Sequence, residues 1–162
     1  MTTRSPLLDV LVPEAVALHL QATSAAEVIR HLADALYRGG YVRESFAEAV
    51  LEREAQLPTG LWLAGAIHAA IPHTDCEHVI RPAVGLATLA APVPFQNMID
   101  PAEAIPVRLV FLLALDQPKA QVEMLQEVAT VLQSPQVVNG LVDAATPDAV
   151  YQVLAQTTPE PA

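Results

Sequence analysis

Val107-Arg108-Leu109-Val110-Phe111-Leu112-Leu113 is an apolar run of strand length between Pro106 and Pro118. Successive residues of a strand point to opposite faces. A run that is apolar at nearly every position therefore has to be covered on both, which marks an interior strand of a sheet with layers above and below it. Two more apolar runs, residues 67–71 and 83–90, are likewise of strand length and bounded by prolines, and supply its neighbours.

Outward from this sheet the period changes to that of helices. Upstream, Ser24-Ala25-Ala26-Glu27 reads as a capping box, with Val28, Leu32, Ala35 and Leu36 on one face and Gly39-Gly40 as the stop. A second helix is expected over residues 43–54, with Phe46, Val50 and Leu51 inward and Glu44, Glu48 and Glu52 outward, broken by Pro58-Thr59-Gly60. Residues 7–12 and 15–20, split by Pro13, read as candidate edge strands. Downstream, Asp116 or Gln117 caps a helix running to Leu132, with Pro118 in its first turn. Ser134-Pro135 and Thr146-Pro147 then open two short helices over residues 136–142 and 148–155, and residues 157–162 read as a frayed tail. Helices on both sides of a run of strands predict an α/β protein, a three-layer α/β/α arrangement with a central mixed β-sheet flanked by helices.

Composition narrows the function classes. With 162 residues, 52% hydrophobic and 16% charged, the chain is expected to form one domain around a sizeable core. Eighteen acidic against eight basic residues give a net charge of −10, which leaves no basic face for nucleic acid. No apolar run reaches the roughly 18–20 residues of a membrane span, and residues 1–6 lack the apolar core of a secretory signal, so a cytoplasmic protein is expected. The single cysteine, Cys76, has no internal partner and suits a reducing compartment.

Chemistry concentrates in Arg53-Glu54, Pro58-Thr59-Gly60 and the segment from His68 to His78. His73 follows a strand and a proline, on a stiff turn that can hold an imidazole in place. A neutral imidazole attacks an electrophile through one ring nitrogen while the other donates to a carbonyl or carboxylate. If the electrophile is a phosphoryl group, the product carries about two negative charges. The Arg53 guanidinium suits that charge, and the Thr59 hydroxyl can add a hydrogen bond. His68, His73, Cys76 and His78 also match zinc in kind, but strand alternation puts His68 and His73 on opposite sides and no standard ligand spacing is present. No metal and no bound cofactor are expected, and Cys76 reads as a small packed residue.

Taken together, Arg53-Glu54, Leu57-Pro58-Thr59-Gly60-Leu61, Ala70-Ile71-Pro72-His73-Thr74 and Gln121-Val122-Glu123-Met124-Leu125-Gln126 resemble the enzyme IIA domains of the sugar phosphotransferase system. The match lies in the fructose-mannitol superfamily and is most like its galactitol-type branch. It covers residues 7–155, so residues 1–162 are expected to form a single type-2 enzyme IIA domain. The resemblance implies that His73 accepts a phosphoryl group from the phosphohistidine of HPr and passes it to a cysteine of enzyme IIB, which phosphorylates sugar entering through the membrane component, enzyme IIC. It implies that Arg53 helps to hold the phosphate. Several relatives carry a second active-site histidine where this chain has Gln121, which can donate a hydrogen bond but cannot gain a charge. His68 stands where fructose-type and mannitol-type relatives often have glycine. The competing readings are a regulatory module of the same fold, whose phosphorylation controls protein binding without transport, a scaffold that no longer accepts phosphate, and a zinc hydrolase.

Overall fold

In a computed structural model of the chain, which describes residues 6–156, the run around Phe111 forms β5 (Ala104–Ala114). It is the middle of a sheet whose order is β1-β4-β5-β3-β2 among the described residues. Here β1 is Leu11–Leu20, β2 Gly60–Leu61, β3 His68–Ala70 and β4 Ala83–Gln96. Pairing is mixed: β4 and β5 are antiparallel, β1 runs parallel to β4, β3 parallel to β5, and β2 antiparallel to β3.

Both faces of β5 are buried, for the reason its sequence predicts. Val110, Leu112 and Ala114 enter a core shared with α2 (Ala25–Arg38) and α3 (Phe46–Gln56). Leu109, Phe111, Leu113 and Leu115 enter a second core with α1 (Pro6–Val10), α4 (Pro118–Leu132), α5 (Pro135–Asp143) and α6 (Pro147–Ala155). Val107 and Leu109 would share a face on a regular strand, yet they enter different cores. The register steps from His68↔Val107 to Ala69↔Leu109, so Arg108 is the extra residue of a bulge that reverses the alternation. Three layers, helix, sheet and helix, result.

Several element boundaries differ from the sequence reading. Residues 7–10 belong to the helix α1 rather than to a strand, because Pro6 opens its first turn and Leu7, Leu8 and Leu11 share one buried side. Pro13 does not divide β1. It falls between Leu11↔Val84 and Val16↔Leu86, in a bulge of an edge strand where its missing N–H breaks no ladder. β4 continues six residues beyond the expected end, pairing Pro94 with Pro106 where neither β1 nor β3 flanks the hairpin and no N–H is needed on the outer sides. Ser24 accepts the Glu27 N–H at 3.2 Å, but the Glu27 carboxylate takes the Thr23 hydroxyl at 2.6 Å instead of closing a reciprocal box. α3 begins at Phe46, three residues later than expected, with Phe46 N–H donating to the Arg43 carbonyl in the preceding turn. Gln117, Ser134 and Thr146 stand at the starts of the last three helices, as their cap-then-proline signatures predict. Residues 157–162, read as a frayed tail, lie outside the described residues.

Candidate functional site

Because β3 and β5 are parallel, their C-terminal ends lie side by side, which is where open α/β sheets place their ligands. β3 stops at Ala70, and Ile71 and Pro72 carry the chain into the turn that holds His73. Pro72 restricts Ile71 to extended backbone, and the Pro72 carbonyl accepts from Leu113 N–H of β5 at 3.1 Å. Beyond the turn a single 3-10 turn, Cys76–His78, is tied to the connection between α2 and α3: Arg43 N–H donates to the His78 carbonyl at 2.9 Å, and His78 Nδ1 lies 2.8 Å from Ser45 Oγ. The His73 turn is thus clamped at both ends.

The His73 side chain is buried (8% exposed), and its Nδ1 lies 2.9 Å from the Ile71 carbonyl oxygen. A carbonyl can only accept, so Nδ1 carries the proton and Nε2 keeps a free lone pair. Burial pushes the His73 pKa below 6.5. The Ile71 hydrogen bond and Asp75 act in the other direction, while the positive charge of Arg53 adds to the lowering. The ring is neutral at neutral pH.

Arg53, in the last turn of α3, is near enough for His73 to feel its charge, and its Nε is buried without a partner. A buried donor with nothing to donate to favours an incoming anion. Gln121 lies in the first turns of α4, just past the end of β5, and its Oε1 is likewise buried and unpartnered. Asp116, at the same end of β5, is felt by the Cys76 thiol, whose pKa is raised by burial, by Asp116 and by Asp75. That shift leaves the thiol protonated and unreactive.

Thr59 is placed differently from the direct phosphate donor the sequence suggests. It is buried (4% exposed), its hydroxyl donates to Glu54 Oε1 at 2.9 Å, and Thr59 Oγ1 in turn accepts from Ile71 N–H at 3.1 Å. Thr59 N–H donates to Glu54 Oε2 at 2.9 Å. The only hydroxyl proton is therefore engaged, and Thr59 meets His73 through the backbone of Ile71. Glu54 was quoted in the sequence beside Arg53 but given no role of its own. The available signal was a carboxylate in the last turn of a helix, where the dipole disfavours negative charge and a compensating partner is required.

His68 does not join this group. Its Nδ1 accepts from Leu63 N–H at 2.9 Å and its ring meets Trp62 edge-on, 4.6 Å between centroids. The fold thus accommodates a full side chain at this position. Among the described residues no three histidine, cysteine, aspartate or glutamate side chains gather in a metal-binding set.

Comparison with known proteins gives this geometry a context. A family model described as "Phosphoenolpyruvate-dependent sugar phosphotransferase system, EIIA 2" matches residues 9–157. The galactitol-specific EIIA component of the phosphotransferase system of Escherichia coli K12 is 32% identical over 118 residues, 72% of this chain and 77% of that protein. The Escherichia coli mannitol enzyme IIA, solved in complex with phosphorylated enzyme IIB, superposes with a TM-score of 0.70 at 26% identity, covering 88% of this chain and 95% of its own. The nitrogen regulatory protein IIA-Ntr of Neisseria meningitidis shares the fold, with a TM-score of 0.71 at 21% identity over 93% of this chain and 99% of its own. Strand order, helix layers and the matched span agree: the chain belongs to the type-2 enzyme IIA family of the sugar phosphotransferase system, phosphotransferase components that carry a phosphohistidine.

Proposed function

We propose that His73 is the phosphohistidine of this enzyme IIA, taking its phosphoryl group from phospho-HPr and handing it to a cysteine of a cognate enzyme IIB that serves uptake through a membrane enzyme IIC. The observation that carries this reading is the bond from His73 Nδ1–H to the Ile71 carbonyl, which leaves Nε2 as the nucleophile. In the transfer the Nε2 lone pair forms the new N–P bond as the donor's P–N bond breaks and its electron pair returns to the donor imidazole. The proton stays on His73 Nδ1, hydrogen-bonded to the Ile71 carbonyl.

Such a transfer asks for alignment and charge stabilisation more than for covalent work by the protein. Arg53, with a buried and unpartnered Nε, supplies a donor and a charge for the phosphoryl oxygens. Gln121 can turn its amide towards the same group but adds no charge. Thr59 contributes through Ile71. Leu57, Ile80 and Val122, from the end of α3, the segment after His78 and the start of α4, are exposed apolar side chains available to partners that dock in turn. The 32% identity to a galactitol-specific component makes a galactitol-type system the first candidate. We place the domain in the cytoplasm as a single unit over residues 1–162; no helix among the described residues is long and apolar enough to cross a membrane.

Incubation with phosphoenolpyruvate, enzyme I and HPr, followed by intact-mass spectrometry, tests the assignment. The expected result is one acid-labile phosphoryl group on the wild type and none on a folded His73→Ala variant. Retention of the label by that variant overturns it. Chase of the labelled protein with a galactitol-type enzyme IIB separates a carrier, which loses the group, from a regulatory module of the same fold, which keeps it.

A further inference from the structure

The ladder between β2 and β3 pairs Leu61 with Ala69 and Gly60 with Ala70, so the next opposed residues are Thr59 and Ile71. At this rung a side chain replaces the main chain. Ile71 N–H donates to Thr59 Oγ1 at 3.1 Å rather than to a backbone carbonyl. Thr59 is held in turn by both oxygens of one carboxylate: its hydroxyl donates to Glu54 Oε1 and its N–H to Glu54 Oε2, each at 2.9 Å. Two bonds from the same residue to the same carboxylate fix the hydroxyl rotor, and with the proton committed to Glu54 an Oγ1 lone pair faces Ile71 N–H.

Ile71 is thereby pinned on both of its polar groups. Its N–H is held by Thr59 and its carbonyl accepts from His73 Nδ1 at 2.9 Å, while Pro72 limits the backbone between them. A continuous path of hydrogen bonds leads from the last turn of α3 to the ring. Burial raises the Glu54 pKa, and the two Thr59 bonds and the neighbouring Arg53 only partly offset that rise.

We propose that Glu54 is a positioning residue for His73: by locking Thr59 it fixes the end of β3, and with it the carbonyl that selects the ring tautomer and aims Nε2. The inference rests on His73 as the phosphoacceptor. A carboxylate that served only the turn at residues 57–60 would leave the ring undisturbed when removed, so the two roles differ in what the ring reports.

The test compares wild type with Glu54→Ala, Thr59→Val and Thr59→Ser, each first shown to be folded by its amide NMR spectrum. Long-range 15N correlation of the His73 ring reads the tautomer without any phosphoryl donor. Single-turnover transfer from phospho-HPr reads the chemistry. Wild type and Thr59→Ser, which keeps the hydroxyl, are expected to show a single Nδ1–H tautomer and transfer rates within about threefold of each other. Glu54→Ala and Thr59→Val are expected to show mixed tautomers and a transfer rate lowered by roughly ten- to a hundredfold, the range found when a supporting hydrogen bond is lost behind a reacting group. Either readout remaining at the wild-type value in both folded variants overturns the proposal. Should one of them fail to fold, Glu54→Gln, which cannot accept both Thr59 donors, replaces it under the same criteria. If wild type takes up no phosphoryl group on His73, the phosphocarrier reading fails separately, and the tautomer alone decides whether Glu54 positions the ring.

Discussion

At the scale of residues, the state of His73 sets the pH behaviour. The folded ring binds a proton less readily than an ordinary histidine, whose pKa is 6.5, chiefly because it is buried. Transfer from phospho-HPr is expected to be level around neutrality and to fall only once the pH drops below 6.5, with its midpoint at the lowered pKa of the folded ring. Stability follows the same asymmetry. Between the folded value and 6.5 the unfolded chain takes up a proton that the native ring does not, so the contribution is complete above 6.5 and is lost as the pH falls through that window. Denaturation at a series of pH values should show this loss in wild type and a shallower one in His73→Ala. His68, also lowered by burial, contributes with the same sign in both proteins. His73 and Arg53 could be singled out in the sequence because a histidine after a strand and a proline, joined to an arginine upstream, forms a pattern that the chain displays locally; the roles proposed for them rest on that pattern and on the resemblance. Glu54 was named beside Arg53 without a role, because the one proposed for it arises from a carboxylate meeting a backbone amide and a hydroxyl five residues on, a closure that depends on how the chain turns after α3.

At the scale of elements, the two-residue strand β2 decides how closely the hairpin of β4 and β5 approaches the turn that carries Thr59. A Cβ added to Gly60 would lie 2.5 Å from the Gln96 carbonyl oxygen and 3.2 Å from that of Phe95, both backbone atoms that cannot swing aside. Gly60→Ala is therefore expected to cost about 1–3 kcal/mol, a fall in Tm of several degrees that thermal unfolding would detect. The substitution should also slow phosphoryl transfer, because Thr59 is its chain neighbour. Strand β2 lies beyond sequence reading: two residues cannot display a period, and Pro58-Thr59-Gly60 announces a turn. The helices were read well where a cap and a proline coincide, as at Ser134-Pro135 and Thr146-Pro147. At Leu7 and Leu8 a short apolar run fits either state, and packing against α4 settles it as a helix, with Leu7 N–H donating to Glu127 Oε2 at 3.1 Å.

At the scale of the whole molecule, the sheet separates two cores, and β5 belongs to both. Phe111 is fully buried on the face covered by α1, α4, α5 and α6. Phe111→Ala should cost about 3–5 kcal/mol, a large share of the roughly 5–15 kcal/mol that holds a domain of this kind together, and urea titration would register it as a lower midpoint. The doubly covered strand and the three layers could be inferred from apolar runs alone; the strand order could not, since it depends on which edges meet and on the bulge at Arg108. The bond between the Ile71 carbonyl and His73 acts on the traffic of phosphoryl groups through the molecule. In the proposed transfer a ring phosphorylated on Nε2 that keeps its Nδ1 proton becomes a cation, and a cationic imidazole is a far better leaving group than a neutral one. The carbonyl that holds the proton there keeps the adduct short-lived and ready to discharge. On that proposal a backbone oxygen just past the three-residue strand β3 governs the lifetime of the charged carrier as well as its birth.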